Sequence, residues 1–287
     1  MKVKDYLEIH YTKETVKVYL HEIDNYLAGH PAAATAVYTD VMNYIGMLRT
    51  RYSNPSTLNR IVCSIKAYYD FLCYSEVRND NPARSIRLRD QRSRDVQLQD
   101  LFMIEELEVL LHRPERYSNL ESRNKVLMSL LVYQALYPVE MEALRITDIN
   151  LEAGTVRVRA TAKTNGRELA LKPNQILLFY AYIREIRPRL LGEGITDRLL
   201  IGHRGQPMTA GDITKHVKRT GKGRYPGRQV NAQTIRQSVI AHFLKQDHDL
   251  SVVQGFAGHK YPSSTERYRQ GEIETLKAAI EKYHPLR

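Results

Sequence analysis

Cysteine is scarce: only Cys63 and Cys73 occur among 287 residues, too few for a disulfide framework. Both fall in an apolar, helix-like stretch with Ile61, Val62, Ile65, Tyr68, Phe71 and Leu72, which predicts buried thiols in a reducing compartment. No Cys/His cluster has zinc spacing, so no metal is expected. The opening MKVKDYLEIHYTKET lacks the apolar run of a signal peptide. No stretch approaches the ~18 apolar residues of a membrane span. These absences predict a cytoplasmic protein without a membrane partner. Internal repeats and low-complexity segments are also missing.

Acidic residues are in deficit. Asp and Glu total 32 against 43 Lys and Arg, a formal charge of +11. A folded protein this basic attracts polyanions over long range, which points to nucleic acid; a basic but merely solvated surface is the alternative. Hydrophobic residues make up 43% and charged residues 26%, enough for a sizeable core in one large or two moderate domains.

Apolar periodicity predicts helices over 13–28, 35–51 and from Ser56 to about Cys73, the last capped by Ser56 or Thr57 after the turn Ser53-Asn54-Pro55-Ser56. Val37 belongs to the buried face of the second. Asn81-Pro82 ends this all-helical region. Residues 84–95 are rich in arginine and poor in large apolar side chains. They read as an exposed linker, plain or lying along a DNA backbone. The predicted division is therefore a helical domain over 1–88, a basic linker over 89–100 and a second domain over 101–287.

The second domain mixes periods. Helices are predicted over 104–111, 124–136, 140–146, 174–187, 232–246, 251–256 and 272–283. Between Gly154 and Leu171 the pattern alternates, and Asn165-Gly166 marks a two-residue hairpin turn with Lys163 close to its tip. Residues 215–228 form a second basic stretch, expected to be flexible from its glycines and Pro226. The fold class is mainly α with a small antiparallel sheet: an all-α N-terminal domain plus an α+β domain.

Three C-terminal features carry the chemistry. Arg236 lies among Ile235, Val239 and Ile240, where a charge needs a partner or must snorkel out. Gly258-His259 follows the apolar turn Val253–Ala257. Tyr268 stands nine positions after His259. Singly, each has a plain reading: Lys163 a solvated turn lysine, His259 a turn cap, Tyr268 one of 19 tyrosines.

Their order and spacing resemble the tyrosine recombinase, or phage integrase, family. Thr57–Arg60 through Asn81-Pro82 resembles the end of that family's core-binding domain. Ala143–Asn150 resembles the lead into its catalytic hairpin, and Lys163 with Asn165-Gly166 its lysine hairpin. The resemblance spans about residues 12–283 and implies a DNA recombinase. Tyr268 would attack a phosphodiester to form a 3′-phosphotyrosine bond, and the 5′-hydroxyl would leave. Arg236 would donate two parallel hydrogen bonds to phosphate. Lys163 would protonate the leaving oxygen and His259 would donate to a non-bridging oxygen. No cofactor or metal is implied. The implied partners are double-stranded DNA, further copies of the chain as dimer to tetramer, and other recombinase subunits. Arg84, Arg87, Arg89, Arg92, Arg94, Lys215, Lys218, Arg219 and Lys222 are the expected DNA contacts, and association with the nucleoid follows.

Two positions depart from the family. Its Gly-Leu-Arg-x-x-Glu segment reads Ala135-Leu136-Tyr137-Pro138-Val139-Glu140, so Tyr137 stands where a catalytic Arg belongs. Gln233 stands where the family has a His; it can donate to phosphate but cannot act as a base. Arg145, Arg157, Arg159 and Arg167 are the nearby cations that could compensate, and a basic group on a neighbouring DNA-bound subunit is the other candidate. An active but atypical enzyme is the expectation, with a catalytically impaired DNA-binding accessory protein and a topoisomerase as alternatives. The 272–283 helix would dock on a neighbouring protomer or pack within its own.

Overall fold

The computed structural model describes residues 1–88, 101–112, 118–221 and 230–268, together with 223, 225 and 228. The chain separates into two compact units, Met1–Ser93 and Arg94–Arg287. The predicted linker 89–100 and helix 272–283 lie outside the described residues.

The first unit is all helical: α1 (Val3–His10), α2 (Lys13–Gly29), α3 (Tyr38–Arg51) and α4 (Pro55–Tyr74). Thr12 caps α2, its hydroxyl accepting from the Thr15 amide. The cap of α4 is Asn54 rather than Ser56 or Thr57. Its side chain accepts from the Ser56 amide at 3.0 Å, and Pro55 takes the first helical position, where its fixed φ fits and no amide is required. The expected 35–51 helix splits. A 3-10 turn at Ala33–Thr35 precedes α3, and Val37, at the cap of α3, is 54% exposed rather than buried. Ile23, Val41, Ile45, Ile61 and Ile65 fill the core. Tyr69 donates to the Ala33 carbonyl at 3.0 Å, so Tyr26 donates to the Tyr69 oxygen at 2.7 Å. Cys63 and Cys73 are free thiols at the core's margin, half-buried rather than buried.

The second unit holds α5 (Ile104–Val109), α6 (Ser118–Gln134), α7 (Pro138–Ala143), β1 (Ile149–Asn150), β2 (Thr155–Val158), β3 (Arg167–Ala170), α8 (Pro173–Ala181), α9 (Arg187–Leu191), α10 (Ala210–Gly221), α11 (Ala232–Lys245) and α12 (Leu250–Ala257). Residues 263–268 are helical as well. The sheet runs β1-β2-β3, all antiparallel, with Val156 opposite Leu169 and Val158 opposite Arg167. Val156, Val158 and Leu169 turn inward and share one core with Leu127, Leu130 and Leu131 of α6. The mainly helical class with a small antiparallel sheet therefore stands.

Three local expectations change. The strands separate after Val158 and rejoin at Arg167, so residues 159–166 make the connection and Asn165-Gly166 is no two-residue turn. The pairing that Asn165 would make across a tight hairpin goes elsewhere: its amide donates to the Gly258 carbonyl at 2.9 Å. Next, the helix expected to stop before Pro188 continues to Leu191. A π-turn at Tyr182–Ile186 widens the coil just where proline removes an amide and crowds the preceding turn. Last, the basic stretch is not flexible throughout. Lys215, Lys218 and Arg219 ride on α10, whose other face buries Ile213 and Val217, and Gly221 lies so close to Val230 that a Cβ there would overlap it.

Candidate active site

Gln233, Arg236 and His259 are positioned by the caps of two helices. The Asn231 side chain accepts from the Thr234 amide at 2.9 Å and starts α11, which places Gln233 exposed on its first turn and Arg236 one turn later on the buried side. Gly258 ends α12 with φ 68°, a left-handed turn that glycine adopts freely. The His259 amide closes that turn onto the Gln254 carbonyl at 3.1 Å. The backbone thus does the capping, and the imidazole is left for other contacts.

Lys163, Gln233, His259 and Tyr268 converge on one cavity of about 230 Å³, which Tyr137 and Arg267 also line. The His259 and Tyr268 rings lie nearly parallel, 10° apart, with centroids 6.4 Å from each other. Thr265 Oγ1 and His259 Nδ1 are 2.8 Å apart. With Thr265 donating, the proton of the neutral imidazole sits on Nε2. Burial pushes the His259 pKa down to about 4, and Arg236 and Arg167 push the same way, so the ring is neutral at pH 7. Burial raises the Tyr268 phenol to about 12 against the lowering pull of Arg236 and Arg267. The phenol is therefore protonated at rest, and its proton must leave as a bond forms rather than beforehand.

Lys163 lies exposed on the 159–166 connection, and its neighbour is pinned. Thr164 pairs by backbone with His259, and its hydroxyl donates to Glu140 Oε1 at 2.7 Å. Glu140 also holds Arg167 bidentately, at 2.7 and 3.1 Å, and accepts from the Tyr137 amide at 2.8 Å. Burial works to raise the Glu140 pKa, but the Arg167 pair and the surrounding donors hold it below the usual carboxylate range.

Arg236 neither snorkels nor lines the cavity; it is fully buried. Nη1 donates to the Ala135 carbonyl and Nη2 to the Ala257 carbonyl, while Nε has no partner among the described residues. Ala135 turns its carbonyl inward through a left-handed backbone, φ 52°. The guanidinium carbon lies 4.0 Å from the centroid of the Tyr137 ring. The expected pair of phosphate donors is thus engaged with backbone in this arrangement.

Of the cations expected to compensate for Tyr137, Arg145 pairs with Asp197 at 2.7 Å and Arg159 with Asp148 at 2.9 Å. Arg157 is exposed on the sheet opposite Glu168. Only Arg167, of these four, reaches the site, and Glu140 occupies it. Among the expected DNA contacts, Arg84 and Arg87 are exposed on the first unit. Lys215, Lys218 and Arg219 border a groove of about 670 Å³ on the second. Arg89, Arg92, Arg94 and Lys222 lie outside the described residues. Among the described residues no group of His, Cys, Asp or Glu could hold a metal, and no helix is long and apolar enough to cross a membrane.

Residues 102–274 match the phage integrase family. The chain belongs to that family. Tyrosine recombinase XerD of Oceanobacillus iheyensis is 26% identical to this integrase-family chain over 278 residues, covering 94% of this chain and 92% of the relative. The fold is likewise that of XerH site-specific recombinase bound to a palindromic difH substrate, with a TM-score of 0.70, 17% identity, and 93% and 78% of the two chains covered. It is also that of the Tn1549 transposon integrase in complex with transposon right end DNA, with a TM-score of 0.66, 16% identity and 99% of each chain covered.

Sequence reasoning missed four members of this integrase site. Thr265 and Arg267 precede the candidate nucleophile by three positions and one, but no periodic or motif signal sets them apart. Thr164 was hidden beside Lys163 because its Glu140 partner is 24 positions away. Tyr137 was legible only as a departure from pattern, not as a ring stacked on Arg236.

Proposed function

We propose that this cavity cuts and rejoins duplex DNA through a 3′-phosphotyrosine intermediate, with Tyr268 as nucleophile. The chain is a site-specific DNA recombinase, a DNA strand transferase, by family and by its relatives. The convergence of Lys163, His259 and Tyr268 from three separated stretches on one solvent-open cavity carries the reading. Tyr268 Oη bonds to phosphorus as the bond to the 5′-oxygen breaks. Lys163 gives that oxygen a proton, and the phenol proton is lost to solvent. His259 Nε2–H and the Gln233 amide donate to the non-bridging oxygens, while the buried Arg236 charge stabilises the added negative charge at a distance. Rejoining runs the same steps backward with a different 5′-hydroxyl, so the phosphodiester energy is retained and no cofactor is consumed.

DNA is contacted by Lys215, Lys218 and Arg219 on α10 of the second unit, and by Arg84 and Arg87 of the helical domain over 1–88. Arg89, Arg92 and Arg94 of the 89–100 linker, and Lys222, supply further phosphate contacts. The working form is an assembly of two to four copies on DNA, at the nucleoid in the cytoplasm. A nicked duplex carrying a site that the protein selects from a random library tests the reading. The protein should form a denaturation-resistant adduct that Tyr268→Phe abolishes. Tight binding of that site without an adduct would sink it.

A further inference from the structure

We propose that Tyr137 is itself a catalytic residue: its hydroxyl donates a hydrogen bond to a non-bridging oxygen of the phosphate that Tyr268 attacks, with the buried Arg236 charge acting through its ring. This rests on the reading of Tyr268 as nucleophile.

Four observations lead there. First, the backbone of Tyr137 is fixed. It follows the left-handed turn at Ala135, and its amide is held by Glu140 at 2.8 Å at the start of α7. Second, its ring is seated on a cation, with the Arg236 guanidinium carbon 4.0 Å from the centroid. Third, Tyr137 lines the cavity that holds Tyr268 and Lys163, whereas Arg236 is fully buried with both terminal nitrogens on backbone carbonyls. Fourth, the Tyr137 hydroxyl makes no hydrogen bond among the described residues, although its backbone and ring are both engaged.

The chemistry then follows. A guanidinium against one face of a phenol draws electron density out of the ring, and the O–H becomes a stronger donor. A phosphate oxygen gaining charge in the pentacoordinate state is the acceptor that profits most, through a short charge-assisted bond. The arrangement keeps a cation and a donor at the site although no arginine stands at position 137. It divides the two functions between Arg236, which supplies charge, and Tyr137, which supplies the hydrogen. The phenol is rigid, with its ring clamped on one side, so little reorganisation is needed when phosphate enters.

Tyr137→Phe tests this directly, because it keeps the ring and the stack and removes only the hydroxyl. Single-turnover adduct formation is measured on the selected nicked duplex, with DNA affinity measured in parallel. The expected result is a slowing on the order of 100-fold with affinity within about twofold. Tyr137→Arg, which restores a donor, should cleave at least as fast as Tyr137→Phe and recover most of the lost rate. Tyr137→Phe cleaving at the parental rate overturns the proposal. So does Tyr137→Ala cleaving faster than the parent, since the ring would then be a cover over Arg236. If the unaltered protein binds the site and forms no adduct, it is the Tyr268 reading that has failed, and the two failures are told apart in one experiment.

Discussion

Glu140→Ala should destabilise the second unit by several kcal/mol. Glu140 and Arg167 form an ion pair whose side chains are 1% and 6% exposed. Arg167 keeps the Phe256 carbonyl on Nε at 2.8 Å, but both terminal nitrogens lose their carboxylate. Removing one partner of a buried pair costs about 3–5 kcal/mol, because the surviving charge stays desolvated. Thr164 Oγ1 and the Tyr137 amide lose the same acceptor, adding about 1 kcal/mol each. The sum, about 5–7 kcal/mol, is a large part of the ~5–15 kcal/mol that holds a typical domain folded. Glu140→Gln should cost less than Ala, since an amide oxygen still accepts from one of these donors. Urea unfolding followed by circular dichroism reads this as a lower midpoint at unchanged slope. Glu140→Leu combined with Arg167→Met should recover much of the loss, because no buried charge is then stranded. A loss below about 1 kcal/mol for Glu140→Ala would refute the reasoning, for Arg167 would then be finding other acceptors.

Ala135→Gly should stabilise by about 0.5–1 kcal/mol despite glycine's entropy, since Ala135 holds φ 52°; thermal unfolding checks it, and a lower midpoint counts against the strain. Gly258→Ala should cost about 1–3 kcal/mol, because the backbone has φ 68° and the new Cβ would meet Arg167 Nη1 at 2.5 Å while Glu140 holds that guanidinium in place. His259 binds a proton less readily folded, at about 4, than unfolded, at about 6.5, so stability is full above pH 6.5 and falls by up to about 3 kcal/mol as pH drops toward 4. His259→Gln should flatten that limb of a pH–stability curve, and an unchanged limb would exonerate the imidazole. Lys218→Ala, on the exposed face of α10, should weaken binding to all duplexes alike and lower the salt slope by about 1.

Much of the fold and of the site is legible in the sequence. The helices α2, α4 and α11 declare themselves through apolar residues at three-to-four spacing, and β2 through strict alternation at Val156 and Val158. Lys163, Gln233, His259 and Tyr268 were nameable because order and spacing along the chain carry a family's chemistry. The failures have a common physical cause, a distant contact overriding local preference. Asn165-Gly166 favours a tight turn locally, yet the Gly258 carbonyl claims the Asn165 amide. Pro188 forbids a regular helix locally, yet the π-turn at Tyr182–Ile186 absorbs it. The basic stretch looked loose from its glycines, but Gly221 is there because Val230 leaves no room for a side chain. The Arg236 environment was the least legible, since its two carbonyl partners come from Ala135 and Ala257, neither of which carries a functional group to read.

The backbone bridge between Thr164 and His259 has a kinetic meaning. The imidazole that would steady the phosphate belongs to one bridged residue, and the lysine that would serve the departing oxygen is the chain neighbour of the other, so a shift of Thr164 is felt by both. Damage at Thr164 should therefore disable both in a single stroke, and a second lesion at Lys163 or His259 should add little to what the first has taken.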